Sequence, residues 1–256
     1  MTYKDKFNLN DKVAIITGAS KGIGKDIAQA LAEHGAHVVV CSRSQESIDA
    51  VAQEFTSLGY SVKAIACHVG KEDQLRSLVD QTINQFGGVD ILINNAATNP
   101  TFGPITMTDS TVFDKVMNVN VKACMLLANL CYESMKNRGG GSIINIASVE
   151  GIKPSIGLGI YSISKAALNM LTKIQAKEWG IDKIRSNSIC PGLIKTKFSS
   201  ALWENEQMLN KYLKHLPSKR MAEPDEIAGL ALFLASDASS YCTGGEYAAD
   251  GGYLIA

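Results

Sequence analysis

The stretch Val13-Ala-Ile-Ile-Thr17-Gly18-Ala19-Ser20-Lys21-Gly22-Ile23-Gly24 decides the fold of this chain. Four apolar residues and a threonine run directly into a turn of small residues, and the turn opens a helix-patterned segment that reaches His34. A strand this apolar needs cover on both faces, the condition of a strand inside a parallel sheet. Glycines let backbone approach a bound group closely, and the unpaired amides of a helix start favour negative charge. Strand, turn and helix together therefore make a candidate pyrophosphate cradle from Gly18, Ser20, Lys21, Gly22, Ile23 and Gly24. The spacing is Gly-x-x-x-Gly-x-Gly, not the more familiar Gly-x-Gly-x-x-Gly, and a tight turn with no ligand is the alternative for the rest of the chain to decide.

Outward from this stretch the same alternation repeats. Strand-like runs are expected at Val13–Thr17, His37–Cys41, Val62–Cys67, Val89–Asn94, Ser142–Ala147, Ile184–Ile189 and Glu246–Asp250. Helical patterns are expected at Gly24–His34, Asp73–Phe86, Asp109–Lys136, Leu158–Trp179 and Pro224–Leu234. Seven strands separated by helices predict an α/β architecture: one doubly wound domain over residues 1–256, with a mainly parallel seven-stranded sheet and helices on both faces. The least regular segment, Lys195 to Ala222, carries Phe198, Leu202, Trp203, Met208, Leu209, Tyr212 and Leu213. It reads as short amphipathic helices, either a substrate-side lid or a packing segment.

Bulk properties narrow the function. With 256 residues and 46% hydrophobic content the chain can bury a large core, and its 25 basic and 25 acidic residues give no overall attraction to nucleic acid or an anionic membrane. Six cysteines form no Cys-x-x-Cys, and His34, His37, His68 and His215 are scattered, so neither a disulfide framework nor a metal site is expected. The N-terminal Met1-Thr-Tyr-Lys-Asp-Lys has no apolar leader, no run has membrane-spanning length, and Tyr253-Leu-Ile-Ala256 is not a peroxisomal tripeptide; a cytoplasmic location is expected.

Two further positions carry chemistry. The second strand ends Cys41-Ser42-Arg43-Ser44, without the acidic residue that holds ribose hydroxyls in NAD enzymes. Arg43 with Lys21 suits a ribose 2′-phosphate, which favours NADP(H). Tyr161 and Lys165 in Tyr161-Ser-Ile-Ser-Lys165 share a helix face at i, i+4, thirteen residues after Ser148. A phenol that titrates near 7 instead of about 10 needs roughly 4 kcal/mol of differential stabilisation, and a nearby ammonium is one source.

The ordered set Thr17-Gly-Ala-Ser-Lys-Gly-Ile-Gly24, Asn94-Asn-Ala-Ala97, Asn120, Ser148, Tyr161-x-x-x-Lys165, Pro191-Gly192 and Thr196 resembles the short-chain dehydrogenase/reductase family, from about Asn10 to the C-terminus. Within it, Cys67-His-Val-Gly-Lys71, Asn95-Ala-Ala-Thr-Asn-Pro100 with Phe102-Gly103, and Pro191-Gly-Leu-Ile-Lys-Thr196 with Leu202-Trp203 are similar to NADP-dependent carbonyl and retinal reductases of the dehydrogenase/reductase member 4 type. The resemblance implies a Rossmann fold and places Asn95, Ala96 and Ala97 beside the adenosine. It puts His68 and Val69 near the adenine, where the family often has Asp. It also places Pro191, Gly192, Ile194 and Thr196 around the nicotinamide and has Asn120 organise a proton-relay water. A homotetramer pairing the helices Asp109–Lys136 and Leu158–Trp179 is implied as well.

With that family chemistry, Tyr161 is the general acid in reduction and base in oxidation, Lys165 lowers its pKa and contacts the nicotinamide ribose, and Ser148 holds the carbonyl oxygen. The expected substrate is a lipophilic small-molecule ketone or aldehyde, or the corresponding alcohol. A 3-oxoacyl-thioester reductase uses the same site, with Lys136, Arg138, Lys173 and Lys177 available to an acidic carrier. A non-catalytic NADP(H) sensor is the alternative from another class. A serine hydrolase is disfavoured because Ala147-Ser148-Val149 is not a Gly-x-Ser-x-Gly elbow.

Overall fold

Seven parallel strands in the order β3-β2-β1-β4-β5-β6-β7 form the centre of the molecule. The structure is a computed structural model that describes residues 2–256. Met1, and the side chains of Ala201 and Met208, lie outside that description, so neither the start of the N-terminal segment nor the place of Met208 on the insertion is assigned. The strands are β1 Val13–Thr17, β2 His37–Ser42, β3 Val62–Ala66, β4 Ile91–Asn94, β5 Gly141–Ile146, β6 Ile184–Pro191 and β7 Glu246–Ala249. Every pairing is parallel, with Val13 opposite His37 and Ile15 opposite Leu92 fixing the central register.

Side chains alternate across the sheet with the two-residue period of a strand. Ala14, Ile16, Val38, Val40, Ile91, Ile93 and Ile144 pack on one face against α1 (Gly22–Glu33), α2 (Gln45–Ser57) and α9 (Asp225–Ala235). Ile15, Val39, Leu92 and Ile143 pack on the other against α3 (Glu72–Phe86) and α5 (Ala123–Asn137). Beside α5 on that face lie α4 (Ser110–Met117) and α6 (Gly159–Trp179). This is the doubly wound Rossmann arrangement. Strand order reverses between β1 and β4, and ligands of such sheets bind at the carboxyl ends of strands beside that reversal.

Two local features differ from the sequence expectation. Residues Gln45–Ser57 form a helix for which no segment is predicted, capped by Ser44 and anchored by Ile48, Val51 and Phe55. The stretch Asp109–Lys136 is not one helix: a π-helical turn, Asn118–Lys122, separates α4 from α5. The insertion before β7 contains α7 (Ser200–Trp203) and α8 (Glu206–His215). Among the described residues, no helix is long and apolar enough to cross a membrane.

Candidate active site

The glycine turn is held from below by Thr17 and Asn95. The Thr17 hydroxyl accepts from the backbone amides of Asn95 (2.9 Å) and Ala96 (3.0 Å), while the Asn95 side-chain amide donates to the carbonyls of Thr17 (2.8 Å) and Gly18 (3.2 Å). Gly18 has φ +67°, and a Cβ there would lie 2.8 Å from Asn95 Nδ2 and 3.1 Å from Ala96 Cα. No side chain can replace this glycine without moving the turn. Asn95, expected as a cofactor contact, lines the cleft but commits its amide to the turn. Thr17, not assigned a role from sequence, locks β1 to β4 at this point.

A cleft of roughly 1820 Å³ runs along these strand ends. It exceeds the usual small-molecule pocket of up to about 1000 Å³, leaving room for an extended ligand and a second molecule. One end is lined by Ser42, Arg43, Ser44 and Ser47, the middle by Gly18 to Gly24, and the other end by Ser148, Tyr161 and Lys165. Arg43 and Lys21 are exposed, and neither forms an ion pair among the described residues. His68, Val69, Ala96, Ala97, Pro191, Gly192, Ile194 and Thr196 also line the cleft. The His68 ring accepts from Gly70 N (3.1 Å), and the Thr196 hydroxyl is 3.2 Å from Ser199 Oγ, so both side chains also stabilise their own turns.

Ser148 follows β5 in extended backbone and caps the short turn Val149–Gly151, accepting from Glu150 N at 3.1 Å. That turn presses directly on α6. A Cβ on Gly151 would lie 2.7 Å from the Lys165 carbonyl carbon, so only glycine allows the approach that sets Ser148 beside Tyr161. Ser148 and Tyr161 line the same end of the cleft, and the Ser148 hydroxyl acts to lower the Tyr161 pKa. The two catalytic candidates that sequence places thirteen residues apart thus meet in space, with the Phe198 ring 6.0 Å from that of Tyr161.

Lys165 is 2% exposed and donates to the Ile146 carbonyl at 2.6 Å, its ammonium 5.6 Å from the Tyr161 ring centre. Burial lowers its pKa to about 8, while the Cys124 and Cys190 thiols act in the opposite sense. Burial also pushes Tyr161 well above the usual phenol range; the Ser148 hydroxyl opposes this and Glu150 adds to it. In this structure burial is the largest influence on the Tyr161 phenol.

Asn120 sits on the π turn and is 1% exposed. Its Oδ1 accepts from Thr98 N (2.8 Å), and its Nδ2 donates to Thr98 O (3.0 Å) and Ser164 Oγ (3.0 Å). It clasps the loop after β4 to α6 and reaches Lys165 only through its neighbour Ser164. Single-turn π-bulges of this kind are often found at functional sites, where they redirect a side chain.

Comparison with known proteins matches these features. A family model described as Enoyl-(Acyl carrier protein) reductase matches residues 18–254. Dehydrogenase/reductase SDR family member 4 of Oryctolagus cuniculus is 43% identical over 244 residues, 95% of this chain and 94% of the relative. A gluconate 5-dehydrogenase from Burkholderia cenocepacia, solved in complex with NADP and tartrate, superposes with a TM-score of 0.94 at 32% identity, covering 98% of each chain. A 7 alpha-hydroxysteroid dehydrogenase complexed with NADH and 7-oxo glycochenodeoxycholic acid gives a TM-score of 0.94 at 35% identity, again over 98% of each chain.

Proposed function

The chain belongs to the short-chain dehydrogenase/reductase family, an oxidoreductase of CH–OH and C=O groups that uses NAD(P), and from that premise we propose that it is an NADPH-dependent reductase of ketone and aldehyde carbonyls. One observation carries the reading: the Ser148 and Tyr161 hydroxyls converge at one end of a cleft whose far end presents Arg43 without an acidic neighbour from Ser42 to Gln45.

The residues fit a dinucleotide. Gly18 and Gly22, both at positive φ, and the start of α1 form the pyrophosphate cradle, to which Ser20, Lys21 and Ile23 belong. Ser42 and Arg43 would hold the 2′-phosphate, with Lys21 as a second positive charge. His68, Val69, Ala96 and Ala97 would flank the adenosine, and Pro191, Gly192, Ile194 and Thr196 the nicotinamide. The nicotinamide supplies the hydride in reduction and accepts it in oxidation.

Tyr161 donates a proton to the carbonyl oxygen in reduction and takes one back in oxidation. Ser148 donates a hydrogen bond to the same oxygen as negative charge develops there. Lys165, with its ammonium 5.6 Å from the Tyr161 ring centre, would hold the nicotinamide ribose and supply positive charge behind Tyr161. Asn120 holds α6 and the loop after β4 in register. This constellation polarises a C=O bond, which is why carbonyl reduction is favoured over the enoyl reduction in the matched model's description. Residues 195–222, with Phe198, Leu202 and Tyr212 on the cleft, act as the substrate-side lid. A homotetramer is supported by the exposed stripe Ile163, Met170 and Ile174 on α6 and by exposed Phe113 and Met125 on the neighbouring helices, and light scattering tests it.

The deciding experiment compares NADPH with NADH, using 1-phenyl-1,2-propanedione and acetoacetyl-CoA as separate substrates. Higher kcat/KM with NADPH and the diketone is expected. Equal or better efficiency with NADH sinks the cofactor assignment, preference for the thioester moves the substrate to an oxoacyl group, and tight NADPH binding without turnover of any carbonyl points to a sensor.

A further inference from the structure

We propose that Tyr253 is a positioning residue that holds Tyr212, and with it helix α8, over the carbonyl end of the cleft; the substrate side of this proposal rests on the reductase reading above. Tyr212 lines the cleft, and its ring stacks on Tyr253 with centroids 5.3 Å apart and planes inclined by 11°. Among the described residues none after Gly252 lines the cleft itself, so Tyr253 acts on it indirectly, and the Tyr212 ring is the cleft residue it touches face to face.

Tyr253 is fixed from several directions. The Asp250 carboxylate accepts from Gly252 N (2.8 Å) and Leu254 N (2.9 Å), which sets the turn that carries the ring. The Lys153 ammonium lies 5.2 Å from the ring centre, and the phenol oxygen is 3.1 Å from Ser155 Oγ. Ser155 donates to the Glu150 carboxylate through both its hydroxyl (2.6 Å) and its amide (2.8 Å). The same carboxylate accepts from Ser162 (3.1 Å), the residue after Tyr161, and Glu150 N donates to Ser148 (3.1 Å). The aromatic face offered to Tyr212 is thereby tied to the loop and helix that present both hydroxyls of the site.

The end of α8 is seated on the same turn. Ser218 N donates to Gly251 O at 3.1 Å, and a Cβ on Gly252 would lie 2.6 Å from Pro217 Cγ. Leu216 is buried and Leu209, Tyr212 and Leu213 are half-buried, whereas Glu206, Gln207, Lys211, Lys214 and His215 are exposed, so α8 meets the rest of the molecule along one face. Of that face Tyr212 lines the cleft, and the tyrosine stack is what holds its ring.

The test uses the full chain with NADPH and 1-phenyl-1,2-propanedione. Tyr253→Leu removes the aromatic face and is expected to raise the diketone KM about tenfold, the scale of one aromatic pair, while kcat and the NADPH KM move little. Tyr253→Phe keeps the ring and is expected to restore the KM. A wild-type KM in Tyr253→Leu, or equal impairment in Tyr253→Phe, overturns the proposal. Hydrogen exchange supplies a second readout that needs no substrate: amides of residues 206–215 should exchange faster in Tyr253→Leu than in wild type or Tyr253→Phe, with β4 and β5 unchanged. Unaltered exchange at 206–215 overturns the positioning role. If the wild type oxidises NADPH with no carbonyl, the reductase reading fails and the exchange result alone decides the role of Tyr253.

Discussion

Replacing Lys165 with methionine should separate what the site needs from what the fold prefers. Lys165 is 2% exposed and titrates near 8 instead of 10.5 because burial penalises its charged form. Below pH 8 the folded chain carries a charge that water would hold more favourably, and from about pH 8 to 10.5 the folded chain has released a proton that the unfolded chain keeps. Stability therefore rises with pH across that window. The shift corresponds to about 3 kcal/mol in total, of which roughly 2 to 3 kcal/mol falls between pH 7 and pH 10. Lys165→Met lacks this titration, while the buried Cys131 thiol, raised to about 12 by burial alone, titrates alike in both proteins. Urea unfolding of wild type and variant at the two pH values should show the wild type gaining that amount relative to the variant as pH rises. Parallel pH dependence, or a change of opposite sign, would refute the claim that Lys165 is held in a desolvated, destabilising position.

Three other outcomes follow from the geometry. Ser148→Ala should lower kcat by about 10²-fold or more, as loss of an oxyanion-type donor does, with NADPH affinity retained in a fluorescence titration. Arg43→Asp should shift the ratio of kcat/KM values toward NADH; unchanged NADPH preference would remove Arg43 from the 2′-phosphate site. Gly151→Ala places a Cβ against the Lys165 backbone and should cost about 1 to 3 kcal/mol of stability in urea unfolding, with a lower kcat.

The centre of the sheet was legible in the sequence because buried parallel strands are largely apolar, and Val13–Thr17 or Ile91–Asn94 have few other ways to fold. Helix α2 was not, because its polar sequence, Gln45 to Ser57, carries only Ile48, Val51 and Phe55 as buried anchors. The π turn at Asn118–Lys122 leaves no mark in the apolar pattern, since α4 and α5 continue it on both sides. The grouping of Ser148, Tyr161 and Lys165 could be anticipated from type and spacing. The contacts that hold them, Gly151 against α6 and Thr17 under the glycine turn, are long-range, and no local pattern encodes them. Burial of the Tyr161 phenol is likewise a property of the assembled site, whereas spacing gives only the nearness of Lys165.

The measurement that tests the central claim most directly is NADPH oxidation by Tyr161→Phe in the presence of a carbonyl that the wild type reduces, with NADPH binding measured on the same protein. If Tyr161 supplies the proton, turnover falls by about 10²-fold or more while NADPH still binds. Near-normal turnover in Tyr161→Phe would contradict the account, because the proton would then reach the oxygen from another group.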